Sequence, residues 1–321
     1  MRFEENDIYE VQAATSFDLL CIEKVLRLMS ILEIIFHNDE LAGKYVLKGG
    51  TALNLFYFRM PRLSVDIDLN YLGLERETML ADRVRHEKIL SDLLKDNGYV
   101  IKRVPSDHAG GKWRLGYTSF TGLQQNIELD INYMHRMALM PVQIKNSFSL
   151  GMQSVSGVSV LDIHELAAGK LCALLSRCKP RDLFDAAKLL IEVPFNREQL
   201  RLCFIIYAAF NTLDFSTIHG LGEIKFTAGQ FRQELIATLA TNVRRDNPQE
   251  YLEQLVAKCH DGLSLIMPFS SNEQKFLAYV NKYGQIRPAL LTDNADWHRM
   301  ILNHPMLLWK VFNVRKHYGM E

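Results

Sequence analysis

Cysteine is scarce in this chain, and what there is makes no pattern. Cys21, Cys172, Cys178, Cys203 and Cys259 are odd in number, widely spread, and include no Cys-x-x-Cys pair. That argues against a disulfide framework or a zinc ribbon and for a reducing, cytoplasmic setting. Net charge is missing as well: 37 Lys and Arg balance 37 Asp and Glu. No global basic field advertises nucleic acid, although a zero sum leaves room for a local patch. No apolar run approaches the roughly 18 residues of a membrane span. The stretch LSLIMPF, Leu263 to Phe269, is short and is broken by Pro268. The opening Met1-Arg-Phe-Glu-Glu-Asn is acidic and has no hydrophobic segment, so no signal peptide is expected. Repeats and low-complexity tracts are absent too.

What is present is 321 residues at 48% hydrophobic composition, enough for a large core in two domains or one big one. Thr15 to Asn38 carries apolar residues at helical spacing and predicts one long helix with Ser16 as its cap. KYVLKGG reads as a short strand ending in a glycine pair, and TALNLFYFRM as a helix that Pro61 stops. SVDIDLNYL alternates, which makes it a strand with Val65, Ile67 and Leu69 facing inward. Arg76 to Gly98 is a second long helix closed by Asn97-Gly98. Three strand-like runs follow, YVIKRV, KWRLGYTSF and QNIELDINYM, the first two joined as a hairpin by PSDHAGG. Helices are expected over Ser159 to Arg177, capped near Ser159 or Asp162, and from Pro180 onward, with a mostly helical pattern beyond Asn196. The fold class is therefore α+β: a mixed sheet flanked by helices in residues 1–155, then an α-helical domain in residues 156–321. The expected boundary is SLGMQSVSGVS, Ser149 to Ser159.

The chemistry concentrates in Val46 to Leu72, VLKGGTALNLFYFRMPRLSVDIDLNYL. Asp66 and Asp68 are two apart on a strand, so both leave the same face. Carboxylates held side by side repel each other unless a cation lies between them. A hard ion such as Mg²⁺ or Mn²⁺ takes one or two carboxylates and completes its shell with phosphate oxygens, the arrangement of phosphoryl and nucleotidyl transfer. Gly49 and Gly50 let the main chain approach a phosphate, and Thr51 would begin a helix whose first amides attract an anion. Downstream, Glu128, Asp130 and Asn132 share one face of QNIELDINY. If that strand lies beside the first, a third carboxylate joins the pair, Asp130 being the first choice and Glu128 the second. A lone Asp-x-Asp is usually solvated surface and a lone Gly-Gly usually a turn. Their ordered combination with a later acidic strand is what carries the functional reading.

GGT followed by DID resembles the signature of the DNA polymerase β-like nucleotidyltransferase superfamily. The longer string from Leu47 to Tyr71 is similar to the AbiEii-type nucleotidyltransferase toxins of bacterial abortive-infection and toxin–antitoxin systems. Residues 52–65 form a longer spacer than in many superfamily members, and Thr51 stands where serine is common. The resemblance implies a nucleoside triphosphate substrate gripped at Lys48, Gly49, Gly50 and Thr51, and metal at Asp66, Asp68 and Asp130. It implies transfer to an acceptor such as tRNA, another RNA or a protein hydroxyl, and an antitoxin encoded by a neighbouring gene. A small-molecule nucleotidyltransferase, a kinase and a non-catalytic nucleotide- or RNA-binding relative are the alternatives.

A second constellation follows in residues 164–190. Lys170 and Arg177 are seven apart and share a helix face, and Asp182 and Asp185 are three apart on the next helix. Spacing alone leaves two readings open, ion pairing between packed helices or a cation for the triphosphate. AbiEii-like proteins carry a similar Lys-and-Arg helix followed by an RD..D element, matched here by Lys170, Arg177, Arg181, Asp182 and Asp185. The resemblance implies that Lys170 contacts nucleotide phosphates, with Arg177 and Arg181 nearby, and that Asp185 or Asp182 takes part in the site. It covers about residues 40–190. Arg59 and Arg62 in the spacer are further phosphate candidates. His164, His135 and Arg136 read as capping, packing or solvated residues. Lys310, Arg315, Lys316 and His317, with Trp309 and Phe312, have the composition either of soluble surface or of an RNA contact.

Overall fold

A computed structural model of the chain describes residues 5–218, 220–222, 228–241 and 247–320. It divides into two compact units, Met1–Asp162 with Ile236–Arg244, and Ile163–Leu235 with Arg245–Glu321.

The first unit begins with helices α1 (Glu5–Thr15) and α2 (Leu19–Phe36). The long helix expected over Thr15 to Asn38 is α2, which starts at Leu19, and α1 is a further helix ahead of it. Ser16, the expected cap, sits at φ +61 in the break, a conformation that cannot continue a right-handed helix. Asp18 caps α2 instead, its carboxylate accepting from the amides of Leu20 at 3.0 Å and Cys21 at 3.1 Å. Along α2, Ile22, Val25, Leu28, Ile31, Leu32 and Ile35 are all buried. The chain continues through strand β1 (Tyr45–Lys48), the short helix α3 (Gly49–Ala52), which runs on as a π-helical turn over Leu53–Tyr57, and β2 (Asp66–Tyr71). The helix starts at Gly49, two residues before the expected Thr51, and ends at Tyr57 because Phe58 turns extended well before Pro61. Next come α4 (Arg76–Asp96), β3 (Val100–Arg103), β4 (Gly110–Thr118), β5 (Gln124–Asn132), β6 (Gln143–Lys145) and β7 (Val158–Val160).

The seven strands form one mixed sheet in the order β3, β4, β5, β2, β1, β7, β6. The β2/β5 and β1/β7 pairs are parallel and the rest antiparallel. Strand β7 occupies residues expected to open a helix. Val158 and Val160 are fully buried, and Leu47 pairs with Val160, so β-branched side chains add a strand before the helix starting at Ile163 can form. The sheet consequently extends past residue 155.

Alternation fixes which face is wet. Ile67, Leu69, Ile127, Leu129, Ile131, Trp113 and Leu115 are buried, and the residues between them carry charge. Helices α2 and α4 cover the buried face. Tyr45 meets His86 of α4 at 3.1 Å, Tyr71 donates to Asp82 at 2.7 Å, and Arg27 of α2 lies over the Tyr117 ring at 4.2 Å.

The second unit is helical: α5 (Ile163–Arg177), α6 (Pro180–Glu192), α7 (Arg197–Ala209), α8 (Ala228–Glu234), α9 (Pro248–Gly262), α10 (Ser271–Tyr283), α11 (Ala295–Leu302) and α12 (Pro305–Tyr318), with no strand among its described residues. Pro180 takes the first position of α6, where its missing amide costs nothing. The architecture is the expected α+β one. Because Asp18 satisfies the first free amides of a helix that packs across the sheet, Asp18→Ala should lower stability by about 1 kcal/mol. The check is a shift of the urea midpoint with unchanged slope.

Candidate active site

Strand register assembles the charged face. Antiparallel pairing of β1 with β2 sets Lys48 opposite Asp68. Parallel pairing of β2 with β5 sets Asp66 beside Glu128 and Asp68 beside Asp130. Antiparallel pairing of β5 with β4 sets Asp130 opposite Lys112 and Glu128 opposite Arg114. Directly paired residues point to the same side of a sheet, about 5 Å apart at Cβ. Lys48, Asp68, Asp130 and Lys112 therefore form one row across four strands, and Asp66, Glu128 and Arg114 form the next.

The carboxylates are not equivalent. The Lys112 ammonium lies 2.7 Å from Glu128. That bond holds the Glu128 carboxyl below its ordinary range and the Lys112 ammonium above its own. Asp130 moves the opposite way. Burial first, then the charge of Asp68, raises its affinity for a proton. Of the two candidates for a third carboxylate, Glu128 is engaged by Lys112, while Asp130 shares its side of the sheet with Asp68. Lys112 was not singled out from the sequence. Alternation in KWRLGYT put it on one face with Arg114, but its partner is fixed by a register that local pattern does not reveal.

The glycine turn is built against this row. Gly49 has φ +75, and a Cβ there would lie 2.3 Å from Oδ2 of Asp68. Only glycine lets the Asp68 carboxylate rest on the turn. A Cβ on Gly50 would meet Oγ of Ser64 at 2.8 Å and Nη2 of Arg62 at 2.9 Å. The Thr51 hydroxyl is buried and donates to the main-chain carbonyl of Asp66, so its side chain ties the turn to β2. Arg62 is buried too and donates from Nη1 to the Leu63 carbonyl at 3.0 Å, which makes it part of the packing under the turn. Arg59 is exposed, with its guanidinium 5.9 Å from the Phe148 ring. His135 donates its amide to the Asn132 side chain at 2.9 Å, as part of the turn that ends β5.

Among the described residues, no three His, Cys, Asp or Glu side chains are grouped closely enough to hold a metal ion by themselves. The donors on this face still suit a hard divalent cation. They are all carboxylate oxygens, two of them on directly paired residues, and Asp68 raises the proton affinity of Asp130. Such a cation needs only one or two carboxylates when substrate phosphates supply the remaining ligands.

The helical unit brings its own candidates together. Lys170 of α5 lies 2.9 Å from Asp185 and 3.3 Å from Asp182, both on α6. Arg177 holds Asp182 through two hydrogen bonds, at 2.7 and 3.1 Å. Burial pushes the Asp182 carboxyl up, but Lys170 and Arg177 outweigh it and hold the group below its usual range. This is the ion-pairing arrangement that spacing left as one of two readings. Both carboxylates are almost fully buried and Lys170 nearly so, whereas the Arg177 side chain remains 60% exposed. Arg181 is half-buried on the first turn of α6, and His164 accepts from the Asn196 amide at 3.1 Å.

Residues 30–282 match the model of the nucleotidyl transferase AbiEii toxins of type IV toxin–antitoxin systems. The chain belongs to that family. AbiEii membership makes it a nucleotidyltransferase, and the matched span includes every residue of both clusters. Among solved structures, the fold resembles MenT4, a nucleotidyltransferase toxin from Mycobacterium tuberculosis H37Rv. The TM-score is 0.59 at 14% identity, over 90% of this chain and 92% of that one. An alignment with a STING-associated c-di-GMP synthase from Capnocytophaga granulosa covers 94% and 83% of the two chains at 11% identity, with a TM-score of only 0.29. Comparison with curated protein sequences gives no match.

Two predictions follow from the contrast between the clusters. Asp130→Asn should stabilise the protein at neutral pH, because it removes a charge that burial and Asp68 disfavour. The folded-state pKa is raised, so this gain is complete above that pKa. It fades as pH falls through the folded value and is gone below the unfolded one near ~3.9, where both states are protonated. Thermal melts of the two proteins across that range would show the gap closing. Lys170→Met should act in reverse and cost about 3–5 kcal/mol in chemical denaturation, because it removes the ammonium facing two almost fully buried carboxylates, Asp182 and Asp185.

Proposed function

We propose that this AbiEii nucleotidyltransferase moves a nucleoside monophosphate from a nucleoside triphosphate onto an RNA acceptor such as tRNA, with a divalent cation, Mg²⁺ or Mn²⁺, bound at Asp66, Asp68 and Asp130. The observation that carries this reading is the pairing of Asp68 with Asp130 directly against the Gly49 turn. The cation, when bound, supplies charge neutralisation for the triphosphate and the departing pyrophosphate.

The residues of the chain divide the remaining work. The main chain of Gly49 and Gly50, carrying no Cβ, leaves room for phosphate oxygens, and Lys48 beside Asp68 contributes a positive charge next to them. Thr51 keeps that turn at a fixed distance from β2. The acceptor hydroxyl attacks the α-phosphorus, its oxygen forms the new bond, and the bond to the pyrophosphate oxygen breaks. The proton of the attacking hydroxyl passes to a carboxylate oxygen of Asp130. Its raised proton affinity makes it a better acceptor than an ordinary aspartate. Lys112 holds Glu128 and so leaves Asp130 to that task. In the helical unit, Lys170, Asp182 and Asp185 act as a frame for Arg177, whose exposed guanidinium is the member able to meet a nucleotide phosphate, with Arg181 beside it in sequence. We infer further that the protein works in the cytoplasm, opposed by an antitoxin encoded in a neighbouring gene.

The test is incubation with each labelled nucleoside triphosphate, Mg²⁺ or Mn²⁺, and total RNA. Label should appear in the RNA fraction with pyrophosphate released. Asp68→Asn should lower the rate on the order of a thousandfold, the loss of several kcal/mol of charge stabilisation. Label appearing only in protein or small molecules would overturn the RNA acceptor, and an active Asp68→Asn protein would overturn the site.

A further inference from the structure

Helix α12 presents one side to the core and a different side to solvent. Leu307 and Val311 are buried, while Trp309 is 41% and Phe312 65% exposed, with Leu308 open beside them. These positions are three and four apart, and Lys316 continues the same stripe one turn on. Large exposed aromatics aligned on one helix are unusual for a surface that only needs to be soluble.

Charge says what such a stripe suits. Lys310, Arg315 and Lys316 fall between Asp296 and Glu321 with no acidic residue among them, while Arg299 is paired with Asp296, in a chain whose charges balance overall. Lys310 donates to the Asn211 carbonyl at 2.7 Å and Arg315 to the Gly284 carbonyl at 2.8 Å. Both bonds fix the side chains and leave their charges in place. Lys316 is exposed next to Arg315 in the last turn. A hydrophobic protein partner would be served by the aromatics alone. A polyanion that also carries flat rings uses both the aromatics and the unbalanced cations.

We propose that the outer face of α12 is a binding platform for single-stranded RNA, with bases stacking on Trp309 and Phe312 and the phosphate backbone running past Arg315 and Lys316. The inference deepens the RNA-acceptor reading given above and rests on it, and it assigns that acceptor a contact in the helical unit. Stacking of this kind reads no particular sequence, since every base has a π-face, and the ionic part weakens with salt.

The experiment is a fluorescence-anisotropy titration of a fluorescein-labelled single-stranded RNA oligonucleotide with the full-length protein, without nucleotide or metal. Leaving out the chemistry separates this proposal from the catalytic one. Transfer activity can fail while the oligonucleotide still binds, and binding can fail while transfer persists. The double variant Trp309→Ala/Phe312→Ala should weaken binding at least tenfold, since one stacked base contributes about tenfold to a hundredfold. Lys316→Glu should weaken it as well and flatten the salt dependence by about 0.7 in the logarithmic slope, one phosphate contact on a single strand. Both variants alter exposed side chains and should keep the circular dichroism and melting of the parent. No RNA binding by the parent, unchanged binding in folded variants, or a parent that sediments as a dimer which the double variant dissolves would each overturn the proposal.

Discussion

Everything at the charged face depends on one parallel strand pair. β2 and β5 are far apart in sequence, and their register decides that Asp68 stands beside Asp130 rather than beside a neutral residue. The pairing is costly where it is charged, since burial first and then repulsion from Asp68 make Asp130 bind its proton more tightly. It holds because the same strands bury Ile67, Leu69, Leu129 and Ile131 on the opposite face. Burying four such side chains contributes roughly 1.5–3 kcal/mol each, enough to outweigh a repulsion that water partly screens. A register slip of one residue would turn the carboxylates into the core and the aliphatics into water, so the apolar face protects the position of the acids.

The glycine turn makes the arrangement local as well as long-range. Asp68 can occupy its place only because residue 49 has no side chain, and residue 49 can take φ +75 for the same reason. Thr51 then anchors the following helical turn to the Asp66 carbonyl. The long segment between turn and strand is therefore spanned by a direct bond. Arg62, on sequence grounds a phosphate candidate, is packed beneath Gly50 and helps hold the floor of the turn.

Much of this was legible from sequence where the signal is local. Alternation in DIDLNY and NIELDINY gave both strands and their wet faces, and Asn97-Gly98 marked the end of α4. Three-residue strands such as β6 and β7 are too short to show a period, and Val158–Val160 could pass for the start of the helix that follows it. Helix α1 stayed hidden because only Ile8 and Val11 along it are buried, too few to show a helical period. Lys112 stayed invisible for a different reason. Nothing near it in sequence says that β4 pairs with β5 in the register that brings it to Glu128. For Lys170, spacing showed that it shares a face with Arg177. That the acids of the next helix close on both is a matter of interhelical packing.

The two ionic clusters differ in a way that bears on what each is for. In the helical unit, Lys170 and Arg177 meet Asp182 and Asp185, and the charges cancel around two almost fully buried acids and a nearly buried lysine, with Arg177 open to solvent. Its buried members need no outside ion, and losing one is costly because burial leaves no water to take over. On the sheet, Asp66, Asp68, Glu128 and Asp130 share their face with Lys48, Lys112 and Arg114. Four carboxylates stand against three cations, and one of these, Lys112, is bonded to Glu128. The deficit falls on Asp68 and Asp130. A surface could have relieved it with one more lysine or by replacing either aspartate. Keeping both in partial burial makes sense when a positive ion arrives with the substrate, for then the repulsion in the free protein adds to the affinity for that ion.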